Sequence, residues 1–357
     1  MGDSAANKIF GNIASTGHHP GVKNIAHRAD TGKEGFAEGA AEGNSAAICV
    51  LGMHRSGTSA VTRAVSLLGV HLGDDAKMMP PNAENPGGYW ELLEINSLHK
   101  RLMAGIGRDW DTANPLPERW LHSLAARPFS DELAGIVAAN FGGQLLWAWK
   151  EPRTCLLLPL WREVLEQSKV RLQCLFVVRS PVDVAGSLMR RDAIPFGKGL
   201  GIWFHYNIVA LRDAADLPTV FLSYERLLAA WEPELRRCAA GLGLEWPKDD
   251  AGLRKAMDSF IDPNLRHNRS TAERLKELPA PAQELYQALS EACLRDGTHH
   301  KELGQTVQRL HKEYHAYASL FELKESPPAP GRLMRVWRRW QRSLRKRLPK
   351  RSMPSAG

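Results

Sequence analysis

The feature that most constrains the fold is a glycine-flanked loop between an apolar run and an amphipathic stretch. The run AAICVL (46–51) leads into GMHRSGTSAV (52–61), which contains Gly52 and Gly57. A buried strand that turns through such a loop into a helix presents backbone N–H groups at the helix start, where anions bind. The stretch therefore predicts an α/β protein with an anion site after its first strand.

The loop departs from a nucleotide-hydrolysing P-loop at one position. In G-x-x-x-x-G-K-[ST] the lysine reaches the outer phosphates of a nucleoside triphosphate. Here Thr58 stands in place of the lysine, Ser59 keeps the final hydroxyl, and Arg55 places a positive charge inside the loop. Together with Ser56 and Gly57, these residues form the predicted anion-binding set.

Further apolar runs alternate with helix-like segments. QLLWAW (144–149), RLQCLFVV (171–178) and TVFL (219–222) read as buried strands, each followed by a helical pattern. Continuous apolar strands alternating with helices indicate a parallel sheet covered on both faces. We therefore predict a P-loop-like three-layer α/β/α fold with a central parallel sheet, helical insertions and a basic C-terminal helix.

Three regions are predicted along the chain. Residues 1–45 are rich in Gly, Ala, Ser and Asn and lack periodicity, which favours a disordered leader. Residues 46–325 form the folded domain, in which the less regular segment 100–143 is expected to insert at the carboxyl edge of the sheet. Residues 326–357 form a basic amphipathic tail.

The positive charge is concentrated in that tail. Ten of the 47 Lys and Arg residues lie in 326–357, which has no acidic residue, so 37 basic residues face 39 acidic ones elsewhere. A tail helix with Met334 and Trp337 on one face and arginines on the others suits an anionic membrane surface. Nucleic-acid contact and a solvated tail are the alternatives, and no specific nucleic acid is predicted as a partner.

Cysteine and histidine usage indicates compartment and metal content. The five cysteines are scattered without a C-x-x-C pair, and the histidines form no metal-ligand spacing. This favours buried, reduced thiols, a cytoplasmic location and no metal site. The first 45 residues lack an apolar signal core, and no run approaches the roughly 18–20 apolar residues of a membrane span. The location expected is cytoplasmic, with peripheral contact at the inner membrane surface through the tail.

A second motif is FVVRSPVDVAGSLMRR (176–191). Arg179 ends a strand, Ser180 is an expected N-cap, and Asp183 fits a capping box. Ser187 lies eight residues after Arg179, about two turns into the predicted helix. A guanidinium and a hydroxyl so placed can bind one phosphate from two sides.

Together, the two motifs resemble those of the sulfotransferase family. The first is similar to the family's 5′-phosphosulfate loop and the second to its 3′-phosphate motif. The nearest types are the tyrosylprotein sulfotransferases and bacterial sulfotransferases with a G-M-H-R-S-G-T-S loop, and the resemblance covers about residues 46–270. It implies that the co-substrate is 3′-phosphoadenosine-5′-phosphosulfate (PAPS).

The resemblance assigns roles to further residues. WKEPR (149–153) resembles the family's K-D-P segment, so Lys150 would neutralise charge on the transferring sulfuryl group. LSYERLL (222–228) resembles a Y-E-D-L-L segment, so Tyr224 would contact the adenine side of the donor. DPNLRHNR (262–269) resembles the late basic loop, so Arg266 and His267 would contact the 3′-phosphate.

An acceptor hydroxyl needs a base to take its proton. NPGGYWELLEINSLH (85–99) resembles the bacterial N-P-x-G-[YF]-W-E segment, and Glu91 is the first candidate for that base. Glu94 and His99 are the alternatives, and a purely structural role for Glu91 stays open. Trp110 and Asp111 are expected to line the acceptor pocket.

The sequence thus predicts a PAPS-dependent sulfotransferase that acts by in-line transfer to a hydroxyl. The acceptor class stays open among saccharide, lipid and peptide hydroxyls, with a glycan or glycolipid preferred. Two alternatives remain: a P-loop nucleotide kinase, and a catalytically inactive PAPS-binding or membrane-associated scaffold.

Overall fold

A computed structural model describes residues 45–82, 85–248, 250–261, 271–296 and 300–321. The predicted leader (except residue 45), the basic tail, Arg266 and His267 lie outside these ranges, so their predicted roles stay predictions.

Four strands form one parallel sheet in the order β2-β1-β3-β4. Their bounds are β1 Ala46–Leu51, β2 Leu146–Trp149, β3 Arg171–Val178 and β4 Thr219–Ser223. β1 and β3 have the bounds that their apolar runs predict. β2 starts two residues later than predicted, since Leu145 is 58% exposed.

Side chains alternate between the two faces of the sheet, and each face has its own core. In β1, Ala47, Cys49 and Leu51 pack into one cluster, while Ile48 and Val50 pack into the other. This alternation follows from the two-residue period of a strand. Because apolar residues occupy both phases, both faces must be covered, and the predicted three-layer α/β/α class is confirmed.

In the part of the chain that the structure describes, twelve α-helices cover the two faces. Four pack on the Ile48 face: α1 Thr58–Leu67, α7 Tyr224–Ala229, α8 Trp231–Leu242 and α9 Asp250–Phe260. The others pack on the Cys49 face: α2 Leu93–Gly105, α3 Arg127–Phe141, α4 Thr154–Gln167, α5 Pro181–Asp192, α6 Phe196–Asp213, α10 Ala272–Lys276, α11 Ala280–Ala292 and α12 Lys301–Phe321.

Segment 100–143 is more helical than predicted. It contains the end of α2 and all of α3, so the irregular part is 106–126. α3 buries Leu133, Ile136 and Val137 on one face, a helical spacing that the nearby turn residues obscure.

α6 was not predicted at all. Its glycines lower helix propensity, and it is buried so widely that its apolar residues show no clear stripe. At Gly199 an added Cβ would lie 3.2 Å from Cα of Ala185, so this glycine allows α5 and α6 to approach closely.

The strand order places a crevice at the carboxyl ends of β1 and β3. Their neighbours lie on opposite sides, β2 beside β1 and β4 beside β3. In open α/β sheets, ligands bind where the strand order reverses in this way. The loop after β1 and the Arg179 motif after β3 both lie at this position.

All five cysteines are free and buried, as expected for reduced thiols. Burial raises the pKa of the Cys155 and Cys174 thiols to about 12, so both stay protonated at neutral pH. Within the described ranges, no helix combines the length and apolarity needed to cross a bilayer.

His205 is a fully buried histidine of α6 that contacts α12. Its Nδ1 lies 2.9 Å from the Tyr314 hydroxyl, and the residue is 0% exposed. Burial, followed by the positive charges of His315 and Arg212 among others, lowers the pKa of His205 from 6.5 to about 3. The imidazole is therefore neutral in the folded protein at neutral pH.

This pKa predicts sensitivity to acid. The folded-state value lies below the unfolded-state value, so the stability contribution is complete above about pH 6.5 and is lost as the pH falls towards 3. Between pH 7 and pH 5, His205 should lower the free energy of unfolding by about 2 kcal/mol. In urea unfolding at both pH values, His205→Asn should shrink this difference and the exposed His122→Asn should not. Equal acid sensitivity of the two variants would contradict the assignment.

Candidate anion-binding and transfer site

The loop after β1 adopts backbone conformations that require its glycines. Gly52 has φ 151° and Gly57 has φ 87°, both in the region that favours glycine. Arg55 is also left-handed, at φ 69°, a strained position for a side chain of this size. The Ser56 N–H donates to the Met53 carbonyl at 3.0 Å and closes the turn.

The N-terminus of α1 is arranged for an anion. Its N-cap residue is Gly57, no side chain caps the helix there, and its first turn contains no acidic residue. The first N–H groups of a helix lack intrahelical partners, and the helix dipole adds partial positive charge there. The hydroxyl groups of Thr58 and Ser59 lie in the same turn, so this end of the crevice suits a phosphate or sulfonate.

Gly57 also packs against Tyr224, the first residue of α7. A Cβ at Gly57 would lie 2.2 Å from two carbons of the Tyr224 ring. A Gly57→Ala variant therefore combines backbone strain with overpacking and should lose about 2–4 kcal/mol of unfolding free energy.

Gly69 offers a matched control for that prediction. Its φ is 89°, but an added Cβ would meet nothing within 4 Å. Gly69→Ala should therefore cost only about 1–2 kcal/mol, from its backbone alone. Equal midpoints for the two variants in denaturant unfolding would show that the Tyr224 contact does not matter.

The loop and the second motif meet directly. Arg55 Nε donates to Ser187 Oγ at 2.9 Å, and Arg179 Nη1 donates to the Arg55 carbonyl at 2.8 Å. Ser187 lies on α5 and Arg179 at the end of β3, more than one hundred residues from the loop. Two guanidinium groups and a hydroxyl are thereby gathered on the β3 side of the crevice.

Ser180 occupies the N-cap position of α5, as predicted, but it does not cap with its side chain. Its hydroxyl is buried and has no partner in the described part of the chain. Its own N–H donates instead to Glu225 Oε1 at 3.0 Å. Glu225 was not singled out as a site residue, although it lies in the recognised LSYERLL segment.

On the β2 side, Lys150 and Glu91 form a buried ion pair beside the loop. Lys150 Nζ lies 2.6 Å from Glu91 Oε1 and donates to Ser59 Oγ at 3.2 Å. Asn96 Nδ2 donates to Glu91 Oε2 at 3.1 Å, so both carboxylate oxygens are oriented. The side chains of Lys150 and Glu91 are only 1% and 6% exposed. Residues from three separate motifs thus meet here.

The two alternative bases are differently placed. Glu94 is exposed, and its carboxylate accepts from Asn140 Nδ2 of α3 at 3.0 Å. His99 is fully buried: Trp161 Nε1 donates to its Nε2 at 2.9 Å, and its Nδ1 lies 2.5 Å from Glu151. Because both nitrogens of His99 are engaged, neither is left for a substrate proton.

Glu151 is an ionised anchor behind Lys150. Burial alone would raise the pKa of this carboxyl, but the Arg153 guanidinium and His99 hold it at about 2. Arg153 forms an ion pair with Glu151, and the Arg153 N–H donates to Glu151 Oε2 at 2.9 Å. This network fixes the backbone that follows β2 and therefore the position of Lys150.

Of the two predicted acceptor-pocket residues, Trp110 lies against the loop and Asp111 pairs with α6. The Trp110 ring is 4.9 Å from the His54 ring, centroid to centroid, and Tyr206 donates to the Trp110 carbonyl at 2.8 Å. Asp111 forms an ion pair with Lys198 at 2.6 Å. Burial, then Arg153, lowers the pKa of His54 to about 3, so His54 is neutral. The sequence analysis missed this loop residue, although it lies inside the first motif.

Fold and geometry together define a P-loop-like α/β protein with a candidate anion site at the loop after β1. Lys150 contacts Ser59 of that loop, and Arg179 contacts the Arg55 carbonyl. Within the described ranges, no cluster of His, Cys, Asp or Glu side chains is placed to hold a metal ion.

No protein-family model matches the chain, and no curated protein matches it. Two similar solved structures are sulfotransferase domains. One, from the curacin biosynthetic pathway, is 17% identical, with a TM-score of 0.38 and coverage of 71% of this chain and 99% of its own. The other, from the Synechococcus PCC 7002 olefin synthase, is 19% identical, with a TM-score of 0.37 and coverage of 74% and 99%.

Neither structure is a tyrosylprotein sulfotransferase. The resemblance of this chain to that type rests on the sequence motifs alone.

Proposed function

We propose that this protein is a sulfotransferase that uses PAPS and transfers the sulfuryl group to an acceptor hydroxyl. The observation that carries the proposal is the meeting of the two motifs, in which Arg55 contacts Ser187 and Arg179 contacts the Arg55 carbonyl. A P-loop-like site alone would suit many phosphate ligands. A second guanidinium group, that of Arg179 at the end of β3, suits a donor with two separate anionic ends.

The residues present fit such a donor. The uncapped α1 N-terminus, Thr58, Ser59 and Arg55 would bind the 5′-phosphosulfate end. Arg179 and Ser187 would bind the 3′-phosphate, which ATP and ADP lack. A triphosphate, in contrast, would find Thr58 where the P-loop lysine is needed.

When bound, PAPS supplies an activated sulfuryl group for in-line transfer. Arg55, Lys150 and the loop N–H groups are the donors that would stabilise the charge developing around that group. Glu91 is the candidate base, oriented by Lys150 and Asn96.

The buried Lys150–Glu91 ion pair links proton transfer to Glu91 with the positive charge of Lys150. A proton arriving on Glu91 removes the negative charge that Lys150 faces at 2.6 Å. The ammonium group, which already contacts Ser59 at the loop, then has its charge available for the transferring group. Proton removal and charge stabilisation would therefore reinforce each other.

The proposed acceptor is a hydroxyl group of a glycan or glycolipid, bound on the Trp110 side of the loop. Contact of the basic tail with an anionic membrane, and a cytoplasmic location with peripheral attachment, remain predictions from the sequence.

A transfer assay tests the proposal. PAPS labelled with ³⁵S is incubated with the full chain and a panel of saccharides, glycolipids, alcohols and tyrosine peptides, and labelled products are counted. We expect transfer to at least one hydroxyl and none to the matched deoxy compound. PAPS binding without transfer to any acceptor would favour an inactive scaffold.

A further inference from the structure

Tyr224 packs beneath both anion-binding segments. Its side chain is buried, its ring leaves no room for a Cβ at Gly57, and Arg179 Cζ lies 4.7 Å from the ring centroid. One aromatic ring therefore sets the separation between the loop and the arginine. The predicted contact of Tyr224 with the donor's adenine side remains a prediction.

The next residue, Glu225, ties the ends of two strands together. Its Oε1 accepts the Ser180 N–H at 3.0 Å, and its Oε2 accepts the Ser223 hydroxyl at 3.3 Å. Ser180 directly follows Arg179 and is fully buried. The bond to Glu225 therefore fixes the backbone from which the Arg179 side chain projects.

The turn that carries Glu225 is itself anchored. Glu234 Oε1 accepts the Ser223 N–H at 3.0 Å, and the Arg226 N–H donates to Ser223 Oγ at 3.3 Å. Glu234 is 1% exposed and forms ion pairs with Arg226 and Arg237. Glu225 thus reaches from a fixed turn to the end of β3.

The N-terminus of α5 is less suited to an anion than that of α1. Glu225 accepts the Ser180 N–H, Pro181 has no N–H, and Asp183 places a carboxylate in the first turn, whereas the first turn of α1 has no acidic residue. A phosphate on the β3 side must then depend on the Arg179 guanidinium and its neighbours, whose direction matters.

We infer that Glu225 is a positioning residue for the 3′-phosphate site, acting through the Ser180 N–H on the direction of Arg179. The inference rests on the proposed function, since it concerns adenosine nucleotides that carry a 3′-phosphate. Glu225 acts by its reach: a side chain of the same length with an acceptor oxygen can replace it, and a shorter carboxylate cannot.

Three variants separate reach from charge. Glu225→Gln keeps the length and an acceptor oxygen, Glu225→Asp keeps the charge but is one methylene shorter, and Glu225→Leu removes the acceptor. Calorimetry gives the dissociation constants of adenosine 3′,5′-bisphosphate (PAP) and of AMP, which lacks the 3′-phosphate. We expect the dissociation constant of Glu225→Gln for PAP to stay within about 3-fold of the wild-type value. Glu225→Asp and Glu225→Leu should bind PAP about 10-fold more weakly, with AMP affinity unchanged.

Glu232→Leu is the control, because Glu232 of α8 forms its ion pairs with Arg236 of the same helix and Arg254 of α9, not with the strand ends. Thermal melting checks that each variant folds. If Glu225→Leu does not fold, the comparison of Glu225→Gln with Glu225→Asp tests the inference. A wild type that fails to distinguish PAP from AMP contradicts the proposed function itself. If the wild type distinguishes them, an unchanged ratio of PAP to AMP affinity in Glu225→Asp and Glu225→Leu overturns the role of Glu225. Weakened PAP binding in Glu225→Gln with wild-type binding in Glu225→Asp also overturns it.

Discussion

An Arg55→Ala variant is expected to lose transfer activity, with kcat/KM about 10²–10³ lower than in the wild type. The guanidinium is the only fixed cation within the loop sequence 52–57, and its Nε holds Ser187 at 2.9 Å. Its removal takes away a charge at the reacting group and a link to the second motif. The measurement is steady-state transfer from labelled PAPS to the acceptor identified in the panel.

Two further variants sharpen that test. Arg55→Lys keeps a positive charge but not the planar fork, so we expect partial activity. Arg101→Ala breaks an exposed ion pair with Glu132 and should leave turnover unchanged. Unchanged turnover in Arg55→Ala would remove Arg55 from the mechanism.

Lys150→Met is expected to damage both stability and transfer. It leaves the Glu91 carboxylate buried without its partner, which should cost about 3–5 kcal/mol of unfolding free energy. It also removes a donor to the transferring group, so kcat should fall by about 10²–10³. Urea unfolding and the transfer assay measure the two effects on the same preparation.

The double variant Lys150→Met/Glu91→Gln separates these effects. A neutral amide removes the unpaired charge, so more than half of the lost stability should return while transfer stays low. Arg309→Met, which breaks an exposed ion pair with Glu313, should change neither quantity noticeably. Wild-type kcat in Lys150→Met would contradict the role given to this ammonium group.

Much of the fold could be predicted from the sequence because the central strands are buried on both faces. β1 and β3 are continuous apolar runs, and their bounds follow directly from the sequence. α6 was not predicted, because burial on most of its sides removes the amphipathic pattern that identifies a helix. α3 escaped because turn-forming residues precede it.

The site was readable only in part. Glycine spacing and a strand-end arginine are local patterns, and they identified the loop and Arg179. The Lys150–Glu91 pair joins residues 59 positions apart, so only the tertiary fold brings them together. The engagement of both His99 nitrogens and the bond from Ser180 to Glu225 are likewise tertiary. Local pattern thus predicted where the candidate anion site lies, whereas the different surroundings of Glu91, Glu94 and His99 are visible only in the structure.

The most direct test of the donor site is a pair of calorimetric titrations of the wild-type chain. One uses PAPS and the other uses ATP, each with and without Mg²⁺. Because Thr58 replaces the P-loop lysine and Arg179 faces the loop, we predict PAPS binding that does not depend on Mg²⁺ and is at least about 100-fold tighter than ATP binding. Tight, Mg²⁺-dependent binding of ATP without binding of PAPS would contradict the assignment and indicate a nucleotide kinase.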